Sequence, residues 1–124
     1  NPVSCSIGNA VLDIIENEKL QKNAKITGNY FIKSLNKIKL KFPKLISEVR
    51  GRGFFLGIDL IKSDNNLPNE QLANLIINTM RDKGILLSTD GPHHNVIKIK
   101  PPMTFNKKNV DLVCSELINI FKDA

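Results

Sequence analysis

Tryptophan is absent, tyrosine occurs once and cysteine twice in these 124 residues. The few aromatic residues do not interleave with the basic ones, which argues against a stacking platform for nucleic-acid bases. Cys5 and Cys114 stand far apart, with no metal-ligand spacing and no histidine partner nearby. Both read as buried free thiols in a reducing compartment, so a cytoplasmic location is expected, or a mitochondrial one in a eukaryote. No apolar run is long enough to span a bilayer and no signal peptide is visible, so no membrane partner is expected. Acids are scarce: 12 Asp and Glu stand against 18 Lys and Arg, for a net charge of +6. Much of the lysine lies between Lys19 and Lys44 and reads as a solvated helix face. The alternative is a free-standing basic module that binds RNA or an acidic partner. The chain begins at Asn1 rather than Met, which leads us to expect a piece of a longer chain or a processed product.

Hydrophobic residues make up 41% and charged residues 24%, enough apolar material for one small folded domain. Asn1-Pro2 is a helix start, and Val3, Ile7, Val11, Ile14 and Ile15 recur at helical spacing behind it. After a polar break at 16–19, Leu20, Ala24, Thr27, Phe31, Leu35 and Ile38 form the inner face of a second helix, ended by Pro43. The period then changes. A short strand is predicted over Ile46–Val49, a tight connection over Arg50–Gly53 and a longer strand over Phe54–Ile61. Gly57 falls on that strand's outer face, where another group can approach the backbone.

A third helix is predicted from Pro68, with Leu72, Leu75, Ile76, Thr79 and Met80 facing inward and Gly84 as its C-terminal cap. A strand over Ile85–Ser88, a turn at Asp90-Gly91-Pro92 and a partner strand over Val96–Lys100 follow. Asn106 caps a last helix whose inner face is Val110, Val113, Cys114, Leu117 and Phe121. This order predicts an α+β fold, a small and mostly antiparallel sheet with helices on one face. Residues 1–18 stand apart in pattern as a connector helix, with the domain proper at 19–124.

No nucleophile and base are paired by the pattern. His93 and His94 are adjacent on a turn, where their side chains diverge and make poor joint metal ligands. Arg50 and Arg52 flank Gly51 and can present guanidinium groups to a carboxylate or phosphate, although P-loop spacing is missing. Lys98 lies mid-strand opposite Ile97 and Ile99, next to the stop at Pro101-Pro102. A cation on so rigid a mount suits an anionic substrate group.

Four stretches occur in one order and at one spacing: Asn1-Pro2-Val3-Ser4-Cys5, Val11-Leu12-Asp13-Ile14-Ile15-Glu16, Val49–Leu60 with its Arg-Gly-Arg-Gly-Phe-Phe run, and Lys98-Ile99-Lys100-Pro101-Pro102-Met103. Together they resemble the C-terminal part of the class-III aminotransferases, pyridoxal-phosphate enzymes of fold type I. The run from Ser88 to Met103 is most similar to the phospho-lyase branch, the ethanolamine-phosphate and 5-phosphohydroxy-lysine phospho-lyases. Ordinary class-III transaminases place an arginine where Lys98 stands, and that arginine grips the substrate carboxylate as a fork. Lysine offers a point charge instead.

The resemblance implies the small domain of a fold type I enzyme that acts on an amine or amino acid by transamination or phosphate elimination. It implies Lys98 as a substrate-binding residue, to which the Arg-Gly-Arg loop adds Arg50, and a homodimer in the full enzyme. It also implies that the pyridoxal 5'-phosphate lysine and the other cofactor ligands lie in a large domain upstream of Asn1. The segment alone is then expected to be inactive.

Overall fold

The Asn1 side chain accepts the backbone N–H groups of Val3 and Ser4 at 2.9 and 3.2 Å, and Pro2 occupies the first turn, so helix α1 (Pro2–Asn17) begins where the sequence predicts. The computed structural model describes all of residues 1–124. Lys19, at φ 53°, separates α1 from α2 (Leu20–Lys41). Strands β1 (Ile46–Arg52) and β2 (Phe55–Leu60), helix α3 (Glu70–Asp82), strands β3 (Ser88–Asp90) and β4 (Val96–Ile99), and helix α4 (Lys107–Asp123) follow. The four strands form one sheet in the order β1-β2-β4-β3, with every neighbouring pair antiparallel. Helices α2 and α3 lie on one face and α4 packs against both. The predicted α+β class is the observed one.

The core is the face of the sheet that meets the helices. Leu56, Ile58 and Leu60 of β2 and Ile97 and Ile99 of β4 bury there against Phe31, Leu35 and Ile38 of α2, Ile76 and Met80 of α3, and Val110, Leu117 and Phe121 of α4. A bulge at Ser47 shifts the β1 register between Ile46 and Glu48, so Ile46 and Val49 both turn inward while Glu48 and Arg50 turn outward. Helix α2 approaches the sheet most closely at Gly28. A Cβ there would fall far inside 3.0 Å of the Gly53 carbonyl, so the helix and the β1–β2 turn meet backbone to backbone.

Several boundaries differ from expectation. The connection predicted over Arg50–Gly53 is still ladder: Gly51 pairs with Leu56 and Arg52 with Phe55, and the turn itself is Gly53-Phe54. Glycine at position 51 takes φ 138°, which lets the strand run on through a backbone shape other residues avoid. Helix α3 starts from Asn69, whose side chain accepts the Leu72 N–H at 3.0 Å, rather than from Pro68. Its buried stripe is Leu72, Ala73, Ile76 and Met80, with Leu75 exposed. The strand predicted over Ile85–Ser88 begins at Ser88. Gly84, at φ 77°, and Ile85 donate their N–H groups back to Arg81 and Met80, so they close the helix instead of entering the sheet.

The two cysteines part company. Cys114 is buried in the α4 stripe, and burial pushes its thiol up to about 12. Cys5 is exposed, against the expectation that both are buried. It lies on α1, a helix with no buried residue at all: Val3, Ile7, Val11 and Ile14 expose 67%, 60%, 49% and 50% of their surfaces.

Candidate functional site

The sheet face turned away from the helices is uncovered, and its side chains fall into rows. Strand alternation and register place Arg50, Gly57, Lys98 and Ser88 in one row across the four strands, and Glu48, Asp59, Val96 and Asp90 in the next. Gly57, between Arg50 and Lys98, contributes no side chain. The result is an open groove of about 350 Å³ lined by Arg50, Phe55, Gly57, Asp90, Val96 and Lys98. A Cβ on Gly57 would meet Val96 Cγ1 at 3.3 Å and partly fill the floor. The close approach expected at this glycine is therefore made by a side chain of β4.

Of the three cations singled out in the sequence, Arg50 and Lys98 stand in this groove and both have partners, while Arg52 lies outside its lining. Lys98 Nζ donates to Asp90 Oδ2 at 3.0 Å across the β3–β4 hairpin. The other Asp90 oxygen accepts the Gly91 N–H at 2.8 Å. That backbone donor, and then Lys98, hold the Asp90 carboxyl below the usual carboxylate range. Arg50 Nη1 donates to Glu48 at 2.8 Å and to Asp59 at 3.1 Å. The bond to Asp59, and then that to Glu48, raise the guanidinium above its ordinary value, against the opposing pull of burial. Asp59 in turn accepts from the side-chain amide of Asn95, which is buried and also donates to the Leu60 carbonyl at 2.9 Å.

The strand end that carries Lys98 is held from below. Asn23 on α2 donates to the carbonyls of Met103 and Phe105 at 2.8 and 2.9 Å, while its own oxygen accepts from Thr27 at 3.0 Å. The Pro101–Phe105 segment is thereby pinned to the second helix. His93 and His94 remain exposed on the turn, away from the lining of the groove. A second recess, of about 490 Å³ between Phe31, Leu86, Pro102, Phe105 and Leu112, is mostly apolar, and Lys100 is its only charged lining residue.

Periodicity in the sequence found Lys98, and the paired arginines drew attention to Arg50. Reasoning from sequence does not find Asp90 and Asp59 as their partners, or Asn95 as the partner of Asp59. The parity of β1 was the missing signal, because a loop at Arg50 has no register with Asp59.

The sequence model described as aminotransferase class-III matches residues 1–121. The chain is 44% identical over 113 residues to a Drosophila melanogaster protein called alanine–glyoxylate aminotransferase 2-like, an overlap of 90% of this chain and 23% of that protein. It is 38% identical over 112 residues to the Caenorhabditis elegans ethanolamine-phosphate phospho-lyase homolog 1, covering 89% of this chain and 24% of the relative. A solved phospholyase from Arthrobacter, in complex with phosphoethanolamine, superposes with a TM-score of 0.95 at 38% identity, over 100% of this chain and 29% of that one. The chain thus spans about a quarter of the length of these curated relatives.

Proposed function

Because this chain belongs to the class-III aminotransferase family, whose members are pyridoxal-phosphate enzymes of fold type I, we propose that it is the C-terminal small domain of an enzyme that eliminates phosphate from a phosphorylated amine or amino acid. Transamination of the same class of amine is the second outcome open to the family. The observation that carries the proposal is Lys98. A point charge stands on the groove wall, on a strand end held by two prolines and by Asn23, in a domain that superposes on a phosphoethanolamine-bound phospholyase.

The 124 residues do not fit pyridoxal phosphate by themselves. An amine that forms an imine at neutral pH needs a desolvated pocket. No lysine here is buried, and Lys98, the one lysine in the groove, is committed to Asp90. The cofactor lysine and the remaining cofactor ligands are accordingly assigned to a large domain upstream, and the isolated segment to an inactive part. The cofactor, when bound, supplies the electron sink for proton loss next to the amine. This chain's share is to hold the substrate's anionic end. Lys98 supplies the charge, Gly57 leaves room for the substrate between Arg50 and Lys98, and Arg50 is kept in place by Glu48 and Asp59.

Residues 1–18 serve as the connector to that large domain, and the working enzyme is a homodimer. A cytoplasmic location fits the two unpaired cysteines. The test is to supply the full-length holoenzyme with phosphoethanolamine and, separately, with alanine and glyoxylate. Inorganic phosphate released faster than amino groups are transferred supports the proposal. Steady amino transfer with no phosphate release from any phosphorylated amine overturns it in favour of an ordinary transaminase.

A further inference from the structure

The charges that line the groove do not suffice for a phosphoryl group. Lys98 is matched by Asp90, and Arg50 by both Glu48 and Asp59, so two cations stand against three carboxylates. A phosphoryl monoester carries a charge of about −1.5 to −2 at neutral pH. The next row of the same sheet face supplies what is lacking. Arg52 pairs across the ladder with Phe55, and Lys100, two residues beyond Lys98, places its Nζ 5.6 Å from the centre of the Phe55 ring. Both cations are exposed, and neither has a carboxylate partner. Along an extended strand two residues advance by roughly 7 Å, so this row lies within one substrate's length of Lys98.

We infer that Arg52 and Lys100, on either side of Phe55, are further substrate-binding residues that select a phosphoryl dianion over a monoanionic carboxylate. The inference rests on the phospho-lyase proposal for the choice of substrate and adds residues that the proposal does not use. Lys98 meets the anion at the groove. Arg52 and Lys100 supply the second positive charge that its paired neighbours cannot. The Phe55 face supports the Lys100 ammonium and keeps carboxylates away from it, since an aromatic ring attracts cations and not anions.

The experiment uses the full-length holoenzyme with Arg52→Gln, Lys100→Gln and Lys100→Arg. The two glutamine variants should raise KM for phosphoethanolamine about tenfold more than KM for an amine of matched length that bears a carboxylate. Lys100→Arg should restore most of the loss. In the unsubstituted enzyme KM should fall as the pH rises through about 6, where the phosphoryl group takes its second charge, and the glutamine variants should flatten that dependence. Equal changes for both substrates, or a pH dependence left intact, overturn the inference. If the enzyme transaminates but releases no phosphate, the functional proposal fails by itself. Phosphoethanolamine as a competitive inhibitor then reads the site: inhibition weakened about tenfold in the variants sustains the inference, and unchanged inhibition ends it.

Discussion

Lys98 is a third exposed, ion-paired with a more exposed Asp90, and set beside a side-chain gap at Gly57. Water screens so exposed a pair, and it contributes little to folding. Replacing Lys98 with Ala should therefore leave the denaturation midpoint nearly unchanged and raise KM for a phosphorylated amine about tenfold in the complete enzyme. Replacing it with Arg should improve the handling of α-carboxylate substrates by restoring a fork. Gly28 is the opposite case, remote from the groove and decisive for packing. Its missing Cβ faces the Gly53 carbonyl, which is backbone and cannot swing aside. Gly28→Ala should cost about 1–3 kcal/mol in urea denaturation. Cys114 supplies a pH dependence. Its folded pKa is raised from 9.0 to about 12, so between those values the unfolded chain loses a proton that the folded one keeps. Stability should fall as pH rises across that window, and Cys114→Ala should make this slope shallower in melts recorded from pH 8 upward, leaving the part that Tyr30 adds through its bond to Asp111. Lys98 and the core positions were legible in the sequence because alternation and helical spacing are local signals. Gly28 and Asn95 were not, since each answers to a group many residues away.

Helix α1 has a cap, a proline in its first turn and an apolar stripe, and nothing in these 124 residues buries it. An exposed stripe of Val3, Ile7, Val11 and Ile14 is unfavourable in water, each such side chain being worth roughly 1.5–3 kcal/mol when fully buried. The 124-residue segment should therefore self-associate in sedimentation experiments, and polar substitution of Val3, Ile7, Val11 and Ile14 together should return it to a monomer. A segment that is monomeric with the stripe intact would contradict this account of α1. The other elements show what sequence pattern can and cannot place. The helices came through because caps and apolar spacing are marked, as at Asn1, Asn106 and the α2 face. The strands were misplaced at their ends. Gly51 looked like a turn and is ladder, while Ile85 looked like strand and completes the cap of α3. In both places a long-range pairing or a cap hydrogen bond outweighed local propensity.

Across the whole domain, the helices hold one face of the sheet and leave the other as a graded surface. Cations crowd toward the end with Arg52 and Lys100, and carboxylates toward the row of Glu48, Asp59 and Asp90. The family and the fold class could be recognised from four short motifs in register, and the family match over residues 1–121 and the superposition on a phospholyase agree with both. The arrangement of the outer face could not, because it depends on the bulge at Ser47 and on which residues the register sets side by side. On this account the domain grips the substrate's anion and leaves cofactor attachment to other residues. The most direct measurement is borohydride reduction of the full-length enzyme loaded with pyridoxal phosphate, followed by peptide mapping of the labelled lysine. One stoichiometrically labelled lysine is expected outside these 124 residues, with at most weak, scattered labelling on the surface lysines within them. Stoichiometric labelling of a single lysine inside the segment, Lys98 above all, would contradict it.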